Sequence, residues 1–323
     1  MNSSYLNKEL LHPKNQLELI GYESLFSNFI KLYKMNKLPN VIMLSGPRGS
    51  GKATFAYHFI NYMLSQDEHN PYQVASSTIN FNNSSYKKVQ NNAHPNFSLI
   101  EKEESEIIKV ENIRKTLNFL NKSSFSKDFR VILIDDANFL NTHSSNALLK
   151  SLEDVSEKTF FFIINDISLN ILNTIKSRCI EFKLFLSTNK KVKIFNKLVL
   201  SYDNSLLKNN VNDLHYLETP GNILKYLFLL IDENKKIFND NLNLIILLLD
   251  KYKKKTNYDA LTFATLLIEL FYNKLSLNKT SNSNYYFNNK IKLLKKINDT
   301  KKFNLDKRNL IISIYGELKN ESW

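Results

Sequence analysis

Cysteine is nearly missing from this sequence: Cys179 is the single example among 323 residues. One cysteine excludes a disulfide within the chain and a zinc site built from several thiolates. We therefore expect no zinc. Low cysteine usage also fits a protein of a reducing compartment.

Long hydrophobic runs are lacking as well. No apolar stretch approaches the roughly 20 residues that span a bilayer, and residues 1–16 have no apolar core of the kind found in secretory signals. Hydrophobic residues make up 43% and charged residues 23% of the chain, which is typical of globular proteins. We predict a cytoplasmic protein without membrane contact.

Glycine and proline are scarce, with six of each, whereas Lys, Asn, Ile and Phe are abundant. This skew is typical of an AT-rich genome. Lys and Arg outnumber Asp and Glu by 44 to 31, which gives a net charge of +13. A basic balance favours polyanionic partners, nucleic acid above all. Compositional bias explains the same excess, so the charge alone leaves both interpretations open.

Short apolar runs alternate with amphipathic stretches up to about residue 184. Continuous apolar runs of this length predict the strands of a parallel sheet covered by helices on both faces. The continuous runs are 41–44, 131–134 and 159–164, and the mixed segment 94–100 predicts a further strand. Beyond residue 184 the hydrophobic period is helical to the end. The Asn/Ser-rich segment 66–92 predicts a surface insertion or mobile loop.

A glycine-rich loop follows the first run and precedes a helix. In this context the pattern G-x-x-x-x-G-K predicts a phosphate-binding loop, whose backbone N–H groups and helix N-terminus face phosphate oxygens. The terminal lysine would lie against the outer phosphates. The loop consists of Gly46, Pro47, Arg48, Gly49, Ser50, Gly51 and Lys52.

The residue after the lysine departs from the pattern. A Ser or Thr hydroxyl there would ligate Mg²⁺, but the chain has Ala53. Thr54 does not substitute for it, because one helical step turns its side chain by about 100°. We expect a loop that holds phosphate but lacks the usual hydroxyl ligand for a metal.

Two carboxylates, Asp135 and Asp136, end the strand 131–134. Asp135 suits an indirect contact with Mg²⁺. In hydrolytic sites the second acid is usually Glu, and Asp136 is one methylene shorter, which misplaces it for activating water. A cap on the following segment is an equally good interpretation of Asp136. Asn165 ends the next apolar run, and Arg178 follows a helix; the arginine is either a surface charge or a group presented to a neighbour's nucleotide.

The order of these motifs, with the segment N-A-L-L-K-S-L-E at 146–153 and Ser177-Arg178-Cys179, resembles the AAA+ clamp-loader subunits of bacterial DNA polymerase III. The resemblance covers residues 18–184 closely. It implies an α/β AAA+ P-loop domain over residues 1–184, a small helical lid domain over 185–235, and an all-α C-terminal collar domain over 236–323.

Within that family the chain is more similar to the delta-prime branch than to the gamma/tau motor branch. Ala53 and Asp136 weaken a hydrolytic site, and Asn222 stands after Pro220-Gly221 where a motor would carry a sensor-2 arginine. The resemblance implies that Arg178 is a finger for a neighbouring ATP site and that Asn165 is the sensor-1 residue. ATP, with Mg²⁺, is then a possible ligand of the loop.

The implied partners are motor (gamma/tau) and delta subunits in a hetero-pentamer, with the sliding clamp and primed DNA reached through the assembly. The implied role is a stator that hydrolyses little or no ATP. Two alternatives stay open: an ATP-hydrolysing motor subunit or other P-loop ATPase acting on DNA, and a basic DNA-binding scaffold with a vestigial loop.

Overall fold

The computed structural model describes residues 12–102, 107–121, 129–201, 214–230, 241–255, 257–278 and 280–320. The chain separates into two compact units, Met1–Ile194 and Phe195–Trp323. The predicted division into three domains stays a prediction, and its boundary at 235/236 lies outside the described residues.

The first unit contains a five-stranded sheet in the order β2-β3-β4-β1-β5, and every neighbouring pair is parallel. The strands are β1 (Val41–Gly46), β2 (Phe97–Ile100), β3 (Arg130–Ile134), β4 (Thr159–Asp166) and β5 (Ile180–Lys183). Since all strands run the same way, the sheet has a carboxyl edge, where the strands end, and an amino edge, where they begin.

Helices precede β1 and connect the strands. They are α1 (Glu23–Lys34), α2 (Lys52–Leu64), α3 (Ser84–Gln90), α4 (Val110–Asn121), α5 (Thr142–Glu153) and α6 (Asn173–Lys176). Single 3-10 turns occupy Pro13–Asn15 and Ala137–Phe139. α7 (Thr188–Ser201) follows β5.

Alternate residues of the central strands feed two separate cores, one on each face of the sheet. In β1, Ile42 and Leu44 belong to the core that contains residues of α1 and α2. Val41 and Met43 belong to the core on the opposite face, which contains residues of α4 and α5. Aromatic rings dominate the first core; Phe29 and Phe55, for example, meet edge to face at 5.0 Å. Burial on both faces explains why the strands are continuously apolar in the sequence.

The segment 66–92 is more ordered than predicted. It contains α3 and contributes Tyr72, Ile79 and Tyr86 to the core. Asn83 caps α3 by accepting from the backbone N–H of Tyr86 at 2.6 Å. The prediction of a mobile loop is therefore wrong: sparse apolar residues in a polar background still bury when a helix and a cap orient them.

The second unit is helical in its described part. Its helices are α8 (Leu214–Leu217), α9 (Pro220–Phe228), α10 (Asn241–Lys255), α11 (Tyr258–Asn278), α12 (Ser283–Phe303) and α13 (Lys307–Asn320). Another 3-10 turn spans Thr280–Asn282. On α9, the Asn222 amide donates to the Glu218 carboxylate at 2.9 Å.

By length and composition α11 could cross a membrane. Core helices of water-soluble proteins pass the same test, and α11 packs against α10 and α12 with residues such as Ala264, Ile268 and Tyr272 fully buried. A single helix of this kind is weak evidence for a membrane span.

Candidate nucleotide site and the arginine at the opposite edge

The predicted phosphate loop joins β1 to α2 at the carboxyl edge of the sheet. Gly49 and Gly51 have φ of 73° and 92°, and Gly51 caps α2. Gly46 is required for a different reason: a Cβ there would lie 2.4 Å from the backbone oxygen of Leu184. The loop is therefore shaped by close backbone approach and left-handed turns, which only glycine accepts readily.

The loop is also attached to the core. The Tyr22 hydroxyl, which is buried, donates to the Ser50 backbone oxygen at 2.9 Å. The Ser50 hydroxyl is itself buried and has no hydrogen-bond partner in the described structure. An unpartnered buried hydroxyl in a loop at a helix N-terminus fits an anionic ligand such as a phosphate group.

Lys52 is folded onto its own loop. Its side chain is 6% exposed, and Nζ donates to the backbone oxygens of Gly46 at 2.8 Å and Pro47 at 2.7 Å. Burial lowers the Lys52 pKa to about 8, and the carboxylate of Asp166 opposes this shift more than those of Asp135 and Asp136. Two of the three donors of the amine are thus directed at carbonyls rather than outward.

The position after the lysine offers no metal ligand. Ala53 packs against the core on the α1 and α2 side of the sheet, and Thr54, the next residue, is partly buried on the same helix. No group of three or more His, Cys, Asp or Glu side chains is placed to hold a metal ion within the described ranges. The loop fits phosphate, but the residues around it do not form a Mg²⁺ site of the usual hydroxyl-and-carboxylate kind.

Asp135 follows β3 at the same edge. The residue as a whole is partly exposed, but its carboxyl group is largely surrounded by protein. Burial, and then the neighbouring Asp136 carboxylate, raise its pKa to about 6. Its Oδ1 accepts from the Asp136 backbone N–H at 2.9 Å. The carboxylate form of Asp135 is therefore held at a cost in folding free energy.

Asp136 has a left-handed backbone with φ of 54°. Its Oδ2 lies 3.4 Å from Nζ of Lys102, whose ammonium group is also 3.9 Å from the Phe139 ring centroid. Asp136 precedes the 3-10 turn Ala137–Phe139 but makes no side-chain cap bond. The interpretation of Asp136 as a side-chain cap is therefore wrong, and Lys102 is its partner instead.

Asn165 lies beside the loop in a buried polar chain. Its side-chain amide donates to the Ser45 hydroxyl at 2.9 Å, and its Oδ1 accepts from Asn138 at 3.0 Å. Ser45 and Asn165 are register partners in β1 and β4. The structure thus brings Asn165, Asp135, Asp136 and Lys52 to one edge, as parallel strands require.

Arg178 lies elsewhere. Only Cys179 separates Arg178 from the start of β5. Because Ile180 pairs with Ile42, Arg178 lies level with the residue before β1 begins. From there to Gly46 is about six residues, or roughly 20 Å along the strands. Arg178 is therefore at the amino edge, across the sheet from the phosphate loop of its own chain.

At that edge Arg178 is held by α5 and α6. Its Nε donates to Oε1 of Glu153 at 2.8 Å, and Nη2 contacts the same oxygen. Nη1 donates to the Thr174 backbone oxygen at 2.7 Å. The Arg178 side chain is 29% exposed and that of Glu153 is 49% exposed, so the pair faces solvent.

Sequence reasoning missed three residues of this region. Asp166 was not expected because β4 was predicted to end at Asn165, although a further polar residue at the strand end was a readable signal. Asn138 binds Asn165 and also donates to the Asp166 backbone oxygen at 3.1 Å. Lys102 and Asn138 have no sequence signal, because only the folded sheet brings them to the site.

The family described as DNA polymerase III, delta subunit, matches residues 21–187, just over half of the sequence. The chain belongs to this family. The match confirms the resemblance to clamp-loader subunits of bacterial DNA polymerase III. Together with the parallel sheet and the helical second unit, it confirms the predicted fold class, an α/β AAA+ P-loop domain followed by helical segments.

Curated relatives carry both delta' and gamma names. The DNA polymerase III subunit delta' of Buchnera aphidicola subsp. Acyrthosiphon pisum is 26% identical over 170 residues, 51% of this chain and 49% of the relative. Subunit delta' of Pseudomonas aeruginosa is 31% identical over 140 residues, 43% and 41% of the two chains. Subunit gamma of Buchnera aphidicola subsp. Schizaphis graminum is 27% identical over 201 residues, 61% and 53%. The chain spans about half the length of the curated relatives it matches.

Proposed function

We propose that this chain is a delta-prime-like stator of the DNA polymerase III clamp loader. It turns over little or no ATP at its own loop and presents Arg178 to the nucleotide of a neighbouring motor subunit. Its partners are gamma/tau and delta subunits in a hetero-pentamer, and through the assembly the sliding clamp and primed DNA. Its location is cytoplasmic.

The observation that carries the proposal is the position of Arg178 at the amino edge. A side chain roughly 20 Å from its own phosphate loop cannot contact a nucleotide bound there. A nucleotide that meets this guanidinium must belong to another molecule. Partial exposure of the side chain leaves it accessible to such a partner.

The surroundings of Lys52 support the proposal that this chain turns over little or no ATP at its own loop. An amine whose donors already meet the Gly46 and Pro47 oxygens can hold the loop in shape without a phosphate. Ala53 supplies no hydroxyl for a metal, and Asp136 is paired with Lys102 instead of being placed to activate water. These features favour a loop that binds nucleotide weakly or passively.

The chemistry assigned to the chain is charge stabilisation in trans. During phosphoryl transfer, negative charge spreads over the oxygens of the transferred group, and an arginine delivered by a neighbour stabilises it. Because Arg178 belongs to a different subunit from the nucleotide, hydrolysis would depend on correct packing of the ring. The helical residues 185–235 and 236–323 would serve as lid and collar, with the collar holding the ring together.

The ligand assigned to the chain's own loop is ATP. The seven residues Gly46 to Lys52 would surround its phosphates, and Asn165 and Asp135 would lie beside them. When bound, ATP would supply the negatively charged phosphate oxygens that the N–H groups of the loop face. Turnover is left to the neighbour.

The alternative is a motor subunit that hydrolyses ATP at its own loop. Some of the relatives are named subunit gamma, which supports considering it. The two are separated by measuring ATP turnover of the pure full-length chain, with and without primed DNA. We expect no turnover above that of Lys52→Met, the matched control. DNA-stimulated turnover that Lys52→Met abolishes would overturn the stator proposal in favour of the motor.

A further inference from the structure

Arg178 is paired with a carboxylate that helix α5 brings to the amino edge. Both Nε and Nη2 of Arg178 meet Oε1 of Glu153, and Nη1 meets the Thr174 backbone oxygen. All three nitrogens of the guanidinium group are therefore engaged within the chain. The guanidinium plane is fixed by two anchors on different helices, which is stronger orientation than either contact gives alone.

The position of Glu153 is unfavourable for its own helix. It is the last residue of α5, where the helix dipole presents its negative end and where cations are preferred. Asp154 follows immediately. A partly exposed ion pair also contributes little to stability. Helix stability therefore does not explain a glutamate at this point, whereas the contact with Arg178 does.

The backbone under Arg178 is fixed as well. Ile175, one turn earlier, is fully buried, and the Arg178 backbone N–H donates to its oxygen at 3.1 Å. β5 begins two residues after Arg178. With its main chain fixed on both sides, the remaining freedom of Arg178 is in its side chain, and that is the freedom Glu153 restricts.

We propose that Glu153 is a positioning residue that holds the Arg178 guanidinium in one orientation at the amino edge before a neighbour's nucleotide arrives. This inference rests on the proposed function. A flexible side chain loses conformational entropy when it is ordered in the transition state, and pre-orienting it removes that loss. Glu153 should therefore affect kcat more than KM.

The test uses a reconstituted loader in which only the motor site facing this chain can hydrolyse ATP, the others carrying inactivating changes. Glu153→Ala is expected to lower kcat of that site about 10-fold, with KM changed less than about 2-fold, since misplacement of about 1 Å costs up to about 100-fold. Glu153→Gln keeps an oxygen acceptor for Nε and should retain at least about half the activity.

Matched controls separate positioning from general effects. Glu181→Ala removes a nearby carboxylate, 3.9 Å from Lys176, that does not contact Arg178; it should leave kcat unchanged. The double variant Glu153→Ala with Arg178→Ala should be no worse than Arg178→Ala alone, because the two residues act as a unit.

The outcomes are distinguishable. If Arg178→Ala lowers turnover while Glu153→Ala leaves it unchanged or raises it, the positioning role is overturned and the finger stands. If Arg178→Ala itself has no effect, the proposed function fails, and the inference fails with it. Circular dichroism and co-assembly of each variant exclude loss of folding as the cause.

Discussion

Lys52 at the carboxyl edge and Arg178 at the amino edge are cations to which the proposed function gives opposite roles, and their surroundings differ in kind. Lys52 is buried and its amine is held by oxygens of its own loop. Arg178 is partly exposed and is held by side-chain and backbone groups of two helices. A buried cation bound to backbone serves its own fold, whereas an exposed and oriented cation can serve another molecule.

Several energetically costly features lie at the carboxyl edge of the sheet. Close backbone approach at Gly46, a left-handed Asp136 and the raised pKa of Asp135 are all on the loop side. Such features cluster at ligand sites in general. They indicate that the loop keeps the shape of a nucleotide site although Ala53 and Lys52 disfavour turnover.

Among the predicted changes in stability at the carboxyl edge, the largest is expected from Gly46→Ala. The new Cβ would lie 2.4 Å from the Leu184 backbone oxygen, and relieving that overlap should cost about 3 kcal/mol. Hydrogen exchange of the β1 amides measures the loss. Gly316→Ala is the control: no atom lies within 4 Å of its Cβ, so α13 should be stabilised by about 0.5–1 kcal/mol. Unchanged protection of β1 would contradict the packing argument.

Asp135→Asn should stabilise the protein near neutral pH. The Asp135 pKa rises from 3.8 to about 6 on folding, so ionisation disfavours the folded state, fully above pH 6 and not at all below about pH 4. Removing the charge should add about 2 kcal/mol at pH 7.5, less than the full shift gives because the residue is partly exposed.

The measurement for Asp135→Asn is a urea titration followed by circular dichroism at pH 7.5 and pH 4. The gain should vanish at the lower pH. Asp259→Asn is the control: the carboxylate it removes is in a partly exposed pair with Lys225, so stability should change by less than about 1 kcal/mol. Equal stabilisation at both pH values would show that ionisation of Asp135 is not the cause.

The smallest effect is expected from Tyr22→Phe. It removes the hydroxyl that donates to the Ser50 backbone oxygen and should destabilise the loop by about 1 kcal/mol. Hydrogen exchange at the amides of residues 48–51 detects this. If protection there is unaltered, attachment of the loop to the core does not depend on Tyr22.

Four of the five strands, the loop and the helical end of the chain were predictable because each follows a local pattern: apolar runs, glycine spacing and helical periodicity. The short strand β5 was not predicted, because its residues are exposed or only partly buried and form no apolar run. The pairing of Arg178 with Glu153 was not, because 25 residues separate them and a surface ion pair leaves no periodic signal. The pairing of Lys102 with Asp136 was not predicted for the same reason. The segment 66–92 misled because composition reports average polarity, whereas burial depends on a few oriented side chains such as Tyr72 and Tyr86.

The central claim is that this chain contributes to catalysis from its amino edge and not from its phosphate loop. It is tested most directly by comparing Arg178→Ala with Lys52→Met in a reconstituted loader whose single active motor site faces this chain. The account predicts a loss of about 1000-fold for Arg178→Ala and less than about 2-fold for Lys52→Met. A large loss with Lys52→Met and none with Arg178→Ala would contradict it.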